Sequence, residues 1–389
     1  MSDQRRHVCA EFQRRFGRPP EWLAVAPGRV NLIGEHVDYC GGFVLPMAIE
    51  RFTMVAAALR PADAGHVARV VSTAMGREAC LPLRAAASPL AAEDAWARYV
   101  QGVIAGFHER GADVPAFDAL IDSTVPLGGG LSSSASLEVA MATLLAALSA
   151  TEMKPLDLAR LCQRAEHDYA GVPCGMMDQC ASTLCVEGHL LLLDCRSLEA
   201  TPVAFTRDDL LVLVANTNVR HSLGDGEYAR RRSDCEAAAR MLDVPLLRDA
   251  TLADVMAARE RLGPRAFARA RHVVTEIERT QRAVAAIGAG NWAEVGSLMA
   301  ASHASLRDDY EVSCRELDLL VELAASEPGV VGARMTGGGF GGCTVTLVEA
   351  DRAAGVMDRM ARGYRDCAGR ECTMFTTRPA AGAMAQRLG

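Results

Sequence analysis

The sequence has almost no lysine. Lys154 stands alone among 41 lysines and arginines, so any phosphate chemistry here must rest on arginine, metal ions and backbone amides unless Lys154 itself serves. It lies in TEMKPLDL, ahead of a helix-like segment, where a solvated surface position is the plainer reading. The same scarcity excludes a Walker A loop, which requires Gly-Lys-Ser/Thr. Aromatic residues are few, at 5%. No apolar run approaches the roughly 18–20 residues that cross a bilayer, and the polar opening, MSDQRRHVCAEFQRRFGRPP, lacks the apolar centre of a signal peptide. A net charge of -7 argues against a general nucleic-acid or membrane surface. No two cysteines form C-x-x-C. The cysteine count, 13, is odd, and several sit inside apolar segments (Cys162, Cys195, Cys343), so reduced thiols in a cytoplasmic protein are expected.

What is present is the balance of an ordinary globular chain, half hydrophobic over 389 residues, enough for two or three domains. WLAVAPGRVNLIGE reads as a strand running into a loop, and FVLPMAIERFTMVAAAL continues as strand. Residues 60–95 are alanine-rich and weakly patterned. WARYVQGVIAGFHERG reads as a short helix closed by Gly111, AFDALIDST as a strand, and LDLARLCQRAEHDYAG as a helix stopped by Gly171 and Pro173. GHLLLLD and LLVLVANT read as buried strands. A helix-rich stretch begins at EYARRRSDCEAAARML and continues past residue 320. DRAAGVMDRMARGYRD is helical, and ECTMFTTRPA reads as the final strand. Strands and helices mix without strict βαβ alternation, which predicts an α+β fold. The softest boundary falls near 200–210, giving domains 1–205 and 206–389.

Three stretches carry chemistry. In VPLGGGLSSSAS, Val125 to Ser136, a glycine-rich turn joins the AFDALIDST strand to a helix. That helix has Leu137, Ala140, Met141, Leu144, Leu145 and Leu148 on one face. Its first turn would present free amides and a positive dipole end at Ser132, Ser133 and Ser134, a ready anion site. The alternative is that Ser132 merely caps the helix. GRVNLIGEHVDYCGG gathers Arg29, Glu35, His36 and Asp38 at a strand end, a set suited to a polyol or sugar, a metal, or a solvated loop. AEHDYAGVPCGMMDQCAS carries Glu166 on a helix and Asp178 after a glycine turn, among the apolar Met176, Met177 and Cys180. A carboxylate placed there is paired, functional or a helix cap. Gly337, Gly339 and Gly342 in TGGGFGG formally match G-x-G-x-x-G, but a strand, CTVTLV, follows where a dinucleotide fold needs a helix. A hairpin, or close packing on another loop or ligand, fits better.

Together the stretches resemble the GHMP small-molecule kinases and, within them, the galactokinase branch. GRVNLIGEHVDY resembles that branch's signature, VPLGGGLSSSAS the ATP-binding motif and MTGGGFGGCTVTLV the third motif. RHSLGDGEYARRR and SLRDDYEVSCRELD are similar to it outside the shared motifs. The resemblance implies an S5-like N-terminal domain and a ferredoxin-like C-terminal one, with the active site between them. It implies transfer of the γ-phosphoryl group of ATP to the anomeric hydroxyl of α-D-galactose. A monomer without nucleic-acid or membrane partners is expected. By position, Asp178 matches the catalytic base, and Arg29 the arginine beside it. Glu35, His36, Asp38, Gly175 and Tyr228 match sugar contacts. Gly128, Gly130, Ser132 and Ser133 match the phosphate loop, Ser134 and Glu166 the Mg2+ ligands, and Trp96 an aromatic residue near adenine. Two departures stand out: Val37 where threonine is usual, and Cys40, which is similar to N-acetylgalactosamine kinases. A non-catalytic sugar and ATP sensor is the rival of another class, and the intact Ser134–Ala135 pair favours an enzyme.

Overall fold

The computed structural model describes residues 1–61, 65–83, 88–220 and 226–389. Within the similar stretch RHSLGDGEYARRR, residues 221–225 therefore lie outside the described residues. The chain opens with helix α1 (Ser2–Phe16), whose only buried residues are Val8 and Phe12. That sparse apolar pattern explains why the stretch reads simply as polar. A six-stranded sheet follows, in the order β13 (Met384–Arg387), β1 (Trp22–Asn31), β3 (Pro46–Leu59), β6 (Phe117–Ser123), β4 (Val67–Ser72) and β5 (Arg77–Pro82). Two of its strands, β4 and β5, arise in the alanine-rich region where no strand is legible. The chain also ends differently from expectation. ECTMFTTRPA supplies β12 (Thr373–Thr377), but the last strand is β13, which returns to pair with β1 from Trp22↔Arg387 to Val25↔Met384.

Helices α2 (Arg98–Glu109), α3 (Ser133–Leu148) and α4 (Pro155–Ala165) cover one face of this sheet, joined in one core by Val103, Phe107, Leu144 and Leu161. Helix α5 (Met177–Leu184) packs on α3, α4 and β1. A small sheet of β2 (Phe43–Val44), β7 (His189–Asp194) and β8 (Ala200–Ala204) lies beside it.

The second half forms a four-stranded antiparallel sheet, in the order β10 (Val330–Thr336), β11 (Gly341–Glu349), β9 (Leu210–Arg220) and β12. Its helices are α6 (Glu227–Leu242), α7 (Leu252–Ala257), α8 (Arg259–Gly288), α9 (Trp292–Asp308), α10 (Arg315–Ala325) and α11 (Ala353–Ala368). The halves share cores. Val30, Leu32 and Met47 pack with Val212, Val214 and Val345, and Val37, Cys40 and Met177 pack with Ala238, Val273 and Leu306. Burial on this scale fixes the two halves against each other, and the candidate residues gather where they meet.

Candidate active site

Strand β1 carries Arg29 to the centre. Its register against β3 shifts between Pro27 and Arg29, and such a bulge re-aims the side chain that follows it. Gly28 lets the strand approach the glycine loop closely, since a Cβ there would lie 2.8 Å from the Leu131 carbonyl oxygen and 2.9 Å from Val125. Arg29 is buried. Its Nε and Nη2 donate to the two oxygens of Asp178, each at 2.8 Å, and Nη1 donates to the Gly130 carbonyl at 2.7 Å. One guanidinium thus spans the glycine loop and the carboxylate in a bidentate fork.

In the glycine loop, Gly128 and Gly130 have φ of 68° and 71°, and Ser132 is left-handed at 60°. Helix α3 begins at Ser133 and not directly after Gly130, so its unsatisfied amides start there. Ser132 makes no side-chain cap. Its hydroxyl instead donates to Asp178 Oδ2 at 2.5 Å, which replaces the capping alternative. The third glycine motif is a β10–β11 hairpin that packs backbone to backbone on this loop. A Cβ on Gly337 would sit 2.5 Å from the Gly130 carbonyl oxygen.

Asp178 stands in the first turn of α5. Its partners, Arg29 and Ser132, are polar, where the neighbouring methionines and cysteine in the sequence suggest an apolar setting. Glu166 opens a single π-turn, Glu166–Ala170, that ends α4. Turns of this kind recur at functional sites. Its carboxylate accepts from Gln179 Nε2 at 2.7 Å and hydrogen-bonds Ser134. Burial, then the nearby Asp178, push its pKa up to about 7.

The opposite wall comes from the loop after β1. Glu35 is buried, accepts from Asn31 Nδ2 at 2.6 Å and the Gly337 amide, and pairs with Arg334 at 3.0 Å. Asp38 lies against Gly175, where a Cβ would fall 1.8 Å from Asp38 Oδ2. Closeness, and no special φ, is what requires glycine at 175. Burial, then Asp178, raise Asp38 to about 7. Tyr228, on α6, hydrogen-bonds the Gly175 backbone.

A cavity of about 260 Å³ brings together every one of these candidates except Trp96: Arg29, Glu35, His36, Asp38, Gly128, Gly130, Ser132, Ser133, Ser134, Glu166, Gly175, Asp178 and Tyr228 all line it. Trp96 lines a second cavity, of about 310 Å³, with Tyr99, Met75 and Leu137. The two cavities share Gly128, Ser133 and Ser134. The Trp96 indole nitrogen is buried without a hydrogen-bond partner. Cys40 lines neither. It is buried against Cys235 on the far side of Tyr39, beside a separate cavity of about 160 Å³. Val37 packs in the core against Gly42, next to Ile277. Among the described residues, no group of three or more His, Cys, Asp or Glu side chains forms a metal site. Gly337 and Gly338 line the cavity as well, and Gln179 braces Glu166. The glycines lie in a motif visible in the sequence, whereas nothing in the sequence distinguishes Gln179.

The glycine loop runs into a helix, packs on a glycine hairpin and meets a buried arginine paired with the half-buried Asp178, and the family models place this arrangement among the GHMP kinases. Residues 98–185 match the family model described as GHMP kinases N terminal domain, and 283–366 the one described as GHMP kinases C terminal. The mevalonate kinase of Methanococcus jannaschii shares the fold, with a TM-score of 0.66 at 15% identity over 94% of this chain and 100% of that one. Residues 10–59 further match the galactokinase galactose-binding signature. The galactokinase of Bos taurus is 50% identical over 376 residues, 96% of this chain and 94% of its own. A crystal structure of Lactococcus lactis galactokinase complexed with galactose superposes with a TM-score of 0.90 at 32% identity, covering 98% of this chain and 99% of that one. The chain belongs to the galactokinase family.

Proposed function

We propose that this chain transfers the γ-phosphoryl group of ATP to the anomeric hydroxyl of α-D-galactose, giving galactose 1-phosphate and ADP. Family membership supports the reaction, and the galactose complex of the Lactococcus lactis relative supports the sugar. The observation that carries the assignment of roles is the placement of Asp178. Its carboxylate sits between the sugar-side wall of Glu35, His36, Asp38, Gly175 and Tyr228 and the glycine loop, held there by Arg29 and Ser132.

Phosphoryl transfer asks mainly for positioning and charge neutralisation. Asp178 accepts the proton of the anomeric hydroxyl, late in a loose transition state. Arg29, already in the fork with Asp178, faces the charge that develops on the transferring group. Gly128, Gly130, Ser132, Ser133 and the first-turn amides of α3 receive the phosphates, and Trp96 flanks the adenine in the adjoining cavity.

The family implies a magnesium ion, and the donors fit one. Glu166 is a buried carboxylate with no ion pair among the described residues, hydrogen-bonded to the hydroxyl of Ser134, and hard oxygen donors suit a hard cation. Ser134 and Glu166 would hold it, and when bound it neutralises phosphate charge. In this reading residues 1–205 and 206–389 are the two domains, with β13 of the second segment returning to complete the sheet of the first, and the enzyme is a cytoplasmic monomer without nucleic-acid or membrane partners. Among the described residues, no helix is long and apolar enough to cross a membrane.

The location of Cys40, away from the cavity, favours galactose over N-acetylgalactosamine. Glucose, which differs in the direction of one hydroxyl, leaves polar groups of the site unpaired and falls short by orders of magnitude. The test is competition of the three sugars at equal concentration with limiting ATP. Galactose 1-phosphate should dominate. A dominant N-acetylgalactosamine product would overturn the specificity, and no sugar phosphate at all would overturn the reaction.

A further inference from the structure

His36 holds a left-handed backbone, with φ at 59°. That is uncommon for a residue with a side chain and persists where the surroundings dictate it. Its ring is buried, and both nitrogens are engaged. Nε2 lies 3.2 Å from the carbonyl oxygen of Gly338, and Nδ1 lies 2.9 Å from the Tyr39 hydroxyl. A carbonyl only accepts, so Nε2 carries the hydrogen. Burial foremost, with His272, Arg231 and Arg334 nearby, lowers the ring's pKa to about 3. The ring is therefore neutral, Nδ1 is an acceptor and Tyr39 must donate to it. The Tyr39 oxygen then accepts from Tyr310, 2.8 Å away, whose own oxygen accepts from the Cys235 thiol at 3.0 Å. Tyr310 is itself fixed, because Arg231 Nε donates to its carbonyl at 2.8 Å. The chain of donors has a single direction, from Cys235 in α6 to Gly338 in the glycine hairpin.

We propose that Tyr39 is a positioning residue for the sugar end of the site: its hydroxyl donates to Nδ1 of His36 and holds the ring with its Nε2–H on Gly338, so that the ring clips the loop after β1 to the hairpin. With both ring nitrogens bonded to protein, the His36 imidazole gives the sugar a wall and no hydrogen bond. Its ring stands 5.7 Å from that of Tyr228, and the Tyr39 ring 5.3 Å from the same tyrosine. Loosening the clip therefore disturbs the Tyr228 side of the cavity most, since Gly337 still seats the hairpin on the glycine loop. The direction of the chain ranks its members. Removing the Tyr39 hydroxyl orphans Nδ1 directly, whereas removing that of Tyr310 leaves the Tyr39 to His36 bond in place.

The proposal rests on the sugar-kinase reading for the meaning of a sugar KM, while the tautomer is independent of it. The experiment pairs the two. In protein labelled with nitrogen-15 histidine, with the His36 signals assigned by their loss in His36→Phe, the wild type and Tyr310→Phe should both show Nε2 protonated and Nδ1 bare at neutral pH. Tyr39→Phe should keep Nε2 protonated, because Gly338 still accepts from it, but shift the Nδ1 resonance as that nitrogen loses its donor. Its galactose KM should rise roughly tenfold to a hundredfold, the range for an unpaired buried acceptor, with the ATP KM unchanged. Tyr310→Phe should raise the galactose KM less. A wild-type ring protonated at Nδ1 would overturn the proposal, as would equal rises in both KM values or a Tyr310→Phe effect as large as that of Tyr39→Phe. Should Tyr39→Phe fail to fold, the wild-type tautomer still decides. Absence of galactose phosphorylation by the wild type would refute the functional reading and leave the tautomer result standing.

Discussion

The two sides of the cavity are built by different means. The proposed nucleotide side is made of backbone: two glycines and Ser132 at positive φ, the start of α3, and a glycine hairpin whose Gly337 touches Gly130. The proposed sugar side is made of buried or half-buried side chains held by their neighbours, Glu35 with Arg334, Asp38 against Gly175, and His36 between Tyr39 and Gly338. Backbone amides bind any phosphate that fits, so that side recognises a chemical group. Locked side chains leave few groups free, so on the proposed reading that side discriminates between stereoisomers. Arg29 and Asp178 stand where the two methods meet, and the predictions follow from that division.

The largest effect belongs to the junction. Asp178→Asn should keep the fold and cut kcat by about 10²–10⁴, roughly 3–5 kcal/mol of barrier, measured in a coupled ADP-release assay. Near-normal turnover would remove Asp178 from the mechanism.

Gly175→Ala comes next and should break only one side. The added methyl collides with Asp38, and a shift of about 1 Å at a reacting centre can cost on the order of a hundredfold. The galactose KM should bear that loss, with the ATP KM unchanged. Equal losses for both substrates would erase the division of labour.

The smallest effects are in pH. Asp38 and Glu166 are both raised to about 7, chiefly by burial. Folding therefore binds protons between the ordinary carboxylate range and that value, and the protein without metal should lose stability as pH rises through this window. Calorimetry should show Tm falling there. Added Mg2+ with nucleotide, which favours ionised Glu166, should offset part of the fall. The galactose KM should move oppositely, improving as Asp38 ionises, and Asp38→Asn should abolish that limb. A flat Tm across the window would contradict the assignment.

How much of this was legible in the sequence follows the same division. The glycine loop is local, and its glycines, serines and apolar stripe predicted strand, turn and helix to within about two residues. The hairpin at 337–342 was legible for the same reason, because a strand follows it. Features that depend on distant partners were not. The Ser132 hydroxyl turns away from capping because Asp178 lies opposite, and Gly175 matters only because Asp38 approaches it. Strand β13 exists by pairing with β1 at the other end of the chain. Cys40 stands in the sugar signature but faces Cys235, since a short turn at Asp38–Cys40 points neighbouring side chains in different directions. Sequence proximity places a residue in a loop and leaves its direction to tertiary packing.

The most direct test of the division is one structure, Asp178→Asn crystallised with galactose and a non-hydrolysable ATP analogue. The account predicts the anomeric oxygen within hydrogen-bond reach of residue 178, with the sugar against Asp38, Gly175 and Tyr228. The γ-phosphate should lie at the first turn of α3 and the adenine beside Trp96. A nucleotide seated away from Ser133 and Ser134, or a sugar presenting another hydroxyl to residue 178, would contradict it.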